Sequence, residues 1–197
     1  MRTLSSFFAA ALLTAALLTA ALSPALAADN PTRAYNDRHG FSLRIPVRAA
    51  VETDTQENGE LDMIPTAAVV VTLDPDEFKG TNLGKASVSV GVSNDPTIVA
   101  ACSAGKAAQG EKPDGNATLA GVKFTRFTFE DSGAGNRYTS RIYRATAGGN
   151  CYELVEFLHW APMENFSPGA LKEFDRAKIE GELRAIIQSF AITGRAL

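Results

Sequence analysis

The chain has 197 residues, of which 45% are hydrophobic, and its 19 basic and 22 acidic residues give a net charge of -3. Mild acidity without a basic cluster excludes a general nucleic-acid-binding protein, which needs a basic face. The length and hydrophobic content predict a globular protein with one domain of ordinary size.

Residues 1–27 have the pattern of a secretory signal peptide. Arg2 gives a positive start, an apolar run spans Phe7–Leu22, and Ala25-Leu26-Ala27 has the small residues that suit signal peptidase. The run is shorter than the roughly 20 apolar residues of a spanning helix; an uncleaved N-terminal anchor is the alternative. We therefore predict cleavage after this segment, a single domain over residues 28–197, export to the periplasm or the exterior, and no stable membrane span after cleavage.

The first half of the remaining chain predicts mainly strands. Residues 41–45 alternate apolar and polar side chains after a turn, which predicts a strand of a hairpin, and a polar excursion follows through Glu60. Residues 66–73 contain a continuous apolar run, as in a strand that is covered on both faces. Residues 87–93 alternate serine or glycine with valine, which predicts a half-exposed strand.

Two helices are predicted from capping and proline signals. Asn94–Pro96 places a capping side chain before proline, which predicts a short helix over Thr97–Lys106. The Gly/Pro/charged segment Ala107–Asn116 predicts an exposed loop. Ser167-Pro168 predicts the start of a final helix, along which apolar residues recur with helical spacing up to Phe190.

Three consecutive antiparallel strands are predicted between these helices, over Val122–Glu130, Arg137–Ala145 and Cys151–Trp160. Gly148-Gly149-Asn150 is a tight hairpin signal between the last two. The third strand has apolar residues on both faces, which predicts a central position. Together these elements predict an α+β fold, in which an antiparallel sheet is flanked by helices as an α/β/α sandwich.

The opening Tyr35-Asn36-Asp37, Gly40-Phe41-Ser42-Leu43 and Ile45-Pro46 resembles the start of the PsbP/Mog1-like domain family. Ser189-Phe190 stands where that family has a Ser-Phe-type end after its last helix. The resemblance extends over residues 34–192 and implies an opening hairpin, a central antiparallel meander and a long final helix. It also implies a mostly non-catalytic accessory scaffold, and it transfers no catalytic residue because the matched positions are structural.

The two cysteines, Cys102 and Cys151, allow one intramolecular disulfide. An even cysteine count in an exported protein predicts that this bond forms. It would close a loop of roughly 50 residues and stabilise the fold by about 4 kcal/mol. A redox-active pair would have C-x-x-C spacing, which is absent, and no histidine stands in a recognisable relation to a cysteine nucleophile.

The two histidines give no recognisable metal or catalytic motif. His39 falls in a predicted turn, and His159 falls at the end of the third strand of the meander. A metal site on His159 with Glu153 or Glu156 is the weaker alternative, and the two glutamates fall on opposite strand faces. No G-x-S-x-G sequence marks a serine hydrolase. We therefore predict no catalytic, metal or cofactor-binding residues.

Arginine and tyrosine residues are frequent on the two strands that we pair. This is the composition that the centres of protein interfaces favour, so we predict a partner surface here; an ordinary charged sheet edge is the alternative. The residues of this predicted surface are Arg126, Arg137, Tyr138, Arg141, Tyr143 and Arg144.

The leading functional hypothesis is an exported, non-enzymatic accessory or binding protein that acts through a surface or shallow groove, with a protein partner in the cell envelope. A second hypothesis is an extracytoplasmic hydrolase whose residues converge only in the fold; His159 near a carboxylate and a serine or cysteine would support it. A third is an inhibitor of an extracellular enzyme, which a protruding loop near Ala107–Asn116, tied at Cys102, would favour.

Overall fold

Ten β-strands and two α-helices make up the described part of the chain. In the computed structural model the described residues are 31–55 and 60–194, so the signal peptide predicted for residues 1–27 lies outside them. The strands are β1 (Thr32–Asn36), β2 (Phe41–Pro46), β3 (Ala50–Thr55), β4 (Ala67–Thr72), β5 (Leu83–Ser93), β6 (Lys112–Leu119), β7 (Val122–Gly133), β8 (Asn136–Ala147), β9 (Asn150–Trp160) and β10 (Ala191–Ile192).

All strand pairs in the two sheets are antiparallel. The larger sheet has the order β3-β4-β5-β9-β8-β7-β6, and a smaller one has the order β1-β2-β10. The predicted opening hairpin and the predicted three-stranded meander are both confirmed. β9 is the middle strand of seven and all of its residues up to Leu158 are buried, which confirms the central position expected from its two apolar faces.

Helices cover both faces of the larger sheet, which confirms the α+β class and the α/β/α arrangement. Helix α1 (Pro96–Ser103) packs on β8 and β9 from one side, and helix α2 (Arg176–Gln188) packs on β5 and β9. Buried Cys102 belongs to the core on the α1 side, whereas buried Leu183 belongs to the core on the α2 side. We call these the α1 face and the α2 face of the sheet.

The predicted start of the final helix at Ser167 is wrong. Residues 167–172 form turns and a single bridge, and α2 begins after Asp175, whose carboxylate accepts a hydrogen bond from the Lys178 amide. Gly169 has a positive φ of 81°, a conformation that does not continue a right-handed helix. The cap-and-proline signal at Ser167-Pro168 therefore marks a turn, and the effective cap lies eight residues later.

Two polar segments that were expected to be irregular are strands. The excursion before Glu60 contains β3, and the predicted exposed loop Ala107–Asn116 runs into β6, which pairs with β7. Both strands lie at the edges of the larger sheet, where one side of the backbone and much of the side-chain surface face solvent. Polar side chains are common in edge strands, so these strands lack the alternation of apolar residues by which a strand is predicted from sequence.

The prediction of a half-exposed β5 is also wrong. Ser87 and Ser89 are completely buried, and Leu61 and Ile64 lie against the same face of the strand at Gly91. The approach is close: a Cβ atom on Gly91 would lie 2.7 Å from Leu61 Cδ1. The serine hydroxyl groups have no hydrogen-bond partner among the described residues.

Ser89→Ala is therefore expected to raise the free energy of unfolding by about 1 kcal/mol, because it removes a buried hydroxyl group without a partner and changes the volume little. Urea unfolding of the two proteins measures the difference. Ser103→Ala is the control, since the exposed Ser103 hydroxyl donates to Thr146 Oγ1 and its loss should change stability little. A loss of stability in Ser89→Ala equal to that of an ordinary hydrogen bond would contradict the prediction.

The Cys102–Cys151 disulfide is present, with 6.0 Å between the two Cα atoms. It joins α1 to Cys151, the second residue of the central strand β9, and so fixes the helix on the sheet. No helix within residues 31–55 or 60–194 is both long and apolar enough to cross a membrane.

Candidate functional site

A buried arginine lies at the centre of the α1 face. The Arg144 side chain is 1% exposed and is bonded by two glutamates that are fully buried. Its Nε donates to Glu153 Oε1 at 2.9 Å, and its Nη1 donates to Glu111 Oε2 at 2.6 Å. Its Nη2 donates to Oε1 of both carboxylates, so the guanidinium is held in one orientation by charge-assisted bonds.

The same glutamates fix two chain segments that carry little regular structure. Glu153 Oε2 accepts hydrogen bonds from the Met63 and Ile64 amides, both at 3.0 Å, and so holds residues 60–64 against the sheet. Glu111 Oε2 accepts from the Ala108 amide at 2.7 Å, which anchors the segment before β6. The charged cluster is thus the point at which two loops and two central strands meet.

The cluster contains more negative than positive charge. Two carboxylates face the single Arg144 guanidinium, and Asp62 adds a third carboxyl group through a hydrogen bond with Glu111. Desolvation, that hydrogen bond and the negative charges of Glu111 and Glu153 raise the pKa of Asp62 to about 6. Burial opposes ionisation of Glu111 as well, but hydrogen bonds from Arg144 and the Ala108 amide hold its pKa below the usual range.

Asp62→Asn is expected to remove a pH dependence from the stability of the fold. Because folding raises the pKa of Asp62, its contribution to stability is complete only below about pH 4 and is lost as the pH rises through about 6. The melting temperature of the variant relative to the wild type should therefore increase between pH 4 and pH 7 and then level off. Thermal unfolding across that range measures this.

Asp76→Asn is the matched control, because Asp76 is an exposed carboxyl group in the short helical turn Pro75–Phe78. A constant difference between Asp62→Asn and the wild type at every pH would contradict the assignment of the extra proton to Asp62.

Asp62 also lines a groove that opens beside the buried cluster. We use "the groove" for a cavity of about 260 Å³ between residues 60–62 and the uncovered end of the α1 face. Its wall carries two carboxyl groups, and its floor carries three aromatic rings and a third carboxyl group. The lining residues are Glu60, Leu61, Asp62, Phe129, Asp131, Tyr138, Ser140 and Phe157.

Strand register explains why the floor residues meet. Phe129 is paired with Ser140, Asp131 is paired with Tyr138, and Ser140 is paired with Phe157 across β7, β8 and β9. Paired side chains project from the same face of an antiparallel sheet. Five residues from three different strands therefore share the α1 face, at the end of the sheet that α1 does not cover.

A lysine stands at the rim of the groove. Lys85 Nζ lies 5.5 Å from the centroid of the Phe157 ring and 3.7 Å from Glu60 Oε1. This ammonium group thus combines a ring contact and a carboxylate contact, both from residues that line the groove.

His159 belongs to the same end of the sheet but has no carboxylate partner within the described ranges. Its ring stacks on Tyr138 with centroids 4.9 Å apart, and its Nε2 lies 3.0 Å from Asn136 Oδ1. His39 lies elsewhere, 3.3 Å from Asp54. Within residues 31–55 and 60–194 no three His, Cys, Asp or Glu side chains are grouped so that they could hold a metal ion.

The six arginine and tyrosine residues do not form the single surface that the sequence suggested. Side chains alternate along β8, so Arg144 and Tyr138 project from the α1 face whereas Arg141 and Tyr143 project from the α2 face. Arg144 and Tyr143 are also buried, and they satisfy Glu153 and Glu156 respectively rather than face a partner.

The other members of that set lie in separate places. Arg141 bonds to Glu156 and Arg126 bonds to the Asp114 carbonyl, both as part of the sheet's own packing. Arg137 lines a second cavity, of about 570 Å³, together with Trp160 and Arg176. Of the predicted residues, Tyr138 is the one that lines the groove.

Comparisons with known proteins give similarity of fold only. No protein-family model and no curated protein match the chain. A crystal structure from Bacteroides thetaiotaomicron VPI-5482 is 11% identical with a TM-score of 0.45; it covers 81% of this chain, which spans about half (47%) of that protein. The structure of LpqN, "involved in cell envelope biogenesis of Mycobacterium tuberculosis", is 14% identical with a TM-score of 0.40 and covers 78% of this chain and 83% of LpqN.

Proposed function

We propose that this protein is an exported, non-catalytic accessory or binding protein of the cell envelope, built on a PsbP/Mog1-like sandwich, and that it binds its ligand or partner in the groove. The observation that carries the proposal is the groove itself, in which carboxyl groups and aromatic rings converge at the uncovered end of an otherwise covered sheet. Concave sites with aromatic walls and a few placed polar groups are the usual form of ligand sites.

The groove is supported on both sides before any ligand binds. Its floor consists of three paired strands, and its wall is held by the two backbone hydrogen bonds from residues 63 and 64 to Glu153. A preformed site loses less conformational entropy on binding than a mobile loop does, which favours affinity. The buried Arg144 cluster therefore has a clear structural role, which is to position the groove wall.

The geometry gives less support to the inhibitor and hydrolase hypotheses. The segment that an inhibitor would insert is tied down, because Glu111 is buried and Pro113 to Leu119 pair with β7. A hydrolase with a cysteine or serine nucleophile needs that nucleophile beside a base, yet both cysteines form the disulfide and His159 contacts Asn136 and Tyr138.

The signal-peptide pattern and the disulfide both support export. Disulfides persist in the periplasm and outside the cell and are rare in the reducing cytoplasm. The Cys102–Cys151 bond therefore supports the same compartment as the N-terminal sequence.

Hydrogen-exchange mass spectrometry tests the proposal. Envelope extract from cells that produce the protein is first divided into a small-molecule fraction and a macromolecular fraction. Each fraction is then mixed with the purified protein. We expect one fraction to slow exchange in peptides that cover residues 60–64 and 129–140, while peptides from α2 are unchanged, and we expect the bound component to be recovered chemically intact. Protection confined to α2, or conversion of the bound component to a product, would overturn the proposal.

A further inference from the structure

The groove has a chemical character that narrows what it can hold. Glu60, Asp62 and Asp131 place three carboxyl groups around it, and no arginine lines it. Lys85 at the rim is already paired with Glu60. An anionic ligand would therefore meet repulsion in the groove, whereas a cation would be attracted.

The cluster behind the groove adds to this preference. Arg144 is the single guanidinium that faces Glu111 and Glu153, and the exposed Asp62 side chain, which is hydrogen-bonded to Glu111, adds a third carboxyl group. Neighbouring carboxylates repel one another, and this repulsion favours a bound cation. A cation bound beside Asp62 would supply the missing positive charge from the groove side.

We propose that the groove binds a small alkylammonium ion, with the ammonium group beside Asp62 and Asp131 and the alkyl groups against Phe129, Tyr138 and Phe157. This inference rests on the proposed function and names the class of ligand. Aromatic faces attract ammonium ions through the negative face of the ring and also bury the attached alkyl groups. Lys85, which sits over Phe157 and beside Glu60, provides the same pair of contacts within the protein itself.

The size and the arrangement of the groove favour an organic cation over a metal ion or a large ligand. A cavity of about 260 Å³ lies below the range of about 300–1,000 Å³ that is typical for drug-sized ligands. Metal ions need several ligand atoms within coordination distance, and the described residues offer no such group. An alkylammonium ion needs only carboxylates at van der Waals distance and apolar walls.

Binding of this kind should depend on pH through Asp62. Affinity should fall as the pH decreases through about 6, because protonation of Asp62 removes one of the attracting charges, and a bound cation should in turn lower the pKa of Asp62. The charged and titratable groups that face Asp62 from the surrounding elements are Glu60, Lys85, Glu111, Asp131, Tyr138, Arg144 and Glu153.

Isothermal titration calorimetry on the purified protein tests the inference. The probes are tetramethylammonium and choline as quaternary ions, putrescine as a primary diamine, guanidinium as a planar cation, and 3,3-dimethylbutan-1-ol as an uncharged isostere of choline. We expect one of the ammonium probes to bind at pH 7.5 and the uncharged isostere to bind at least about tenfold more weakly, which corresponds to about 1.4 kcal/mol. Preference for choline or for putrescine distinguishes a quaternary ligand from a primary one.

Variants connect the binding to the groove. Asp62→Asn and Tyr138→Leu should each weaken ammonium binding about tenfold, whereas Asp76→Asn, at an exposed carboxyl group outside the groove, should not change it. Binding of the uncharged isostere as tightly as choline, preference for guanidinium, equal affinity of Asp62→Asn and Asp76→Asn, or no binding of any ammonium probe would overturn the inference.

Failure of the ammonium-binding inference can be distinguished from failure of the proposed function. If no ammonium ion binds while the envelope extract still protects residues 60–64 and 129–140 from exchange, the ligand class is wrong and binding in the groove stands. If both measurements are negative, both proposals fail.

Discussion

Replacing Arg144 with methionine is expected to lower the free energy of unfolding by about 3–5 kcal/mol, a large part of the stability of a domain of this size. The change keeps an apolar side chain of similar length beside Phe127, but it removes the guanidinium's contact with that ring and all of its hydrogen bonds to Glu111 and Glu153. Both carboxylates then remain buried without a counter-charge. Urea unfolding at pH 7.5, followed by circular dichroism, gives the difference directly.

The pH dependence of the stability loss and a control variant test this prediction even if the Arg144→Met protein is only marginally folded. The deficit should become smaller toward pH 5, because uncompensated carboxyl groups hold their protons more tightly in the folded state, and stability from such groups is lost as the pH rises. Arg126→Met is the control: Arg126 is 32% exposed and pairs with Asp114 at the surface, so its loss should cost about 1 kcal/mol or less. Equal effects of the two substitutions would contradict a central role for Arg144.

Removing the disulfide with the double substitution Cys102→Ala and Cys151→Ala is expected to cost about 2–5 kcal/mol. The bond joins residues 49 apart in sequence, so it restricts the unfolded chain over a long loop. It also attaches α1, a helix of eight residues, which is too short to be stable without tertiary contacts. Guanidinium unfolding of the variant and of the wild type measures the loss.

The wild type under reducing conditions provides the control for the double variant. Its stability should fall to a similar level, since both forms lack the cross-link. A change below about 1 kcal/mol in both cases would show that α1 is held on β8 and β9 by packing alone and that the bond contributes little.

The strands with two apolar faces and the hairpins could be predicted from the sequence because side-chain periodicity encodes them directly. Residues 66–73 and Cys151–Trp160 indicated covered strands, and the structure places both inside the larger sheet. Ser87 and Ser89 could not be interpreted in the same way. Alternation of serine with valine normally indicates a solvated face, whereas both serines are completely buried in the structure.

The buried charge cluster was missed, although part of it is encoded in a local signal. The Gly148-Gly149 turn fixes the register of the β8–β9 hairpin, and counting outward from it pairs Arg144 with Glu153 and Arg141 with Glu156. Two opposite-charge pairs within two otherwise apolar strands indicate buried ion pairs. Glu111 has no such signal, because its partner Arg144 is 33 residues away and its own segment is polar.

The groove could not be predicted either, because it depends on contacts between segments that are far apart in sequence. Its wall and its floor come from segments about 70 residues apart, and their contact depends on the hydrogen bonds between Glu153 and the amides of residues 63 and 64. Tyr138 was singled out from composition, but most of the residues grouped with it project from the other face of the sheet. Alternation within a strand, rather than proximity in sequence, decides which residues share a site.

The central claim is that excess negative charge behind and within the groove makes it a site for a cation, and the titration of one carboxyl group tests this most directly. Carbon-detected NMR on the Asp62 carboxyl gives its pKa in the free protein and in the presence of tetramethylammonium. We expect a pKa of about 6 in the free protein and a lower pKa with the cation bound. An ordinary pKa near 4, unchanged by the cation, would contradict it.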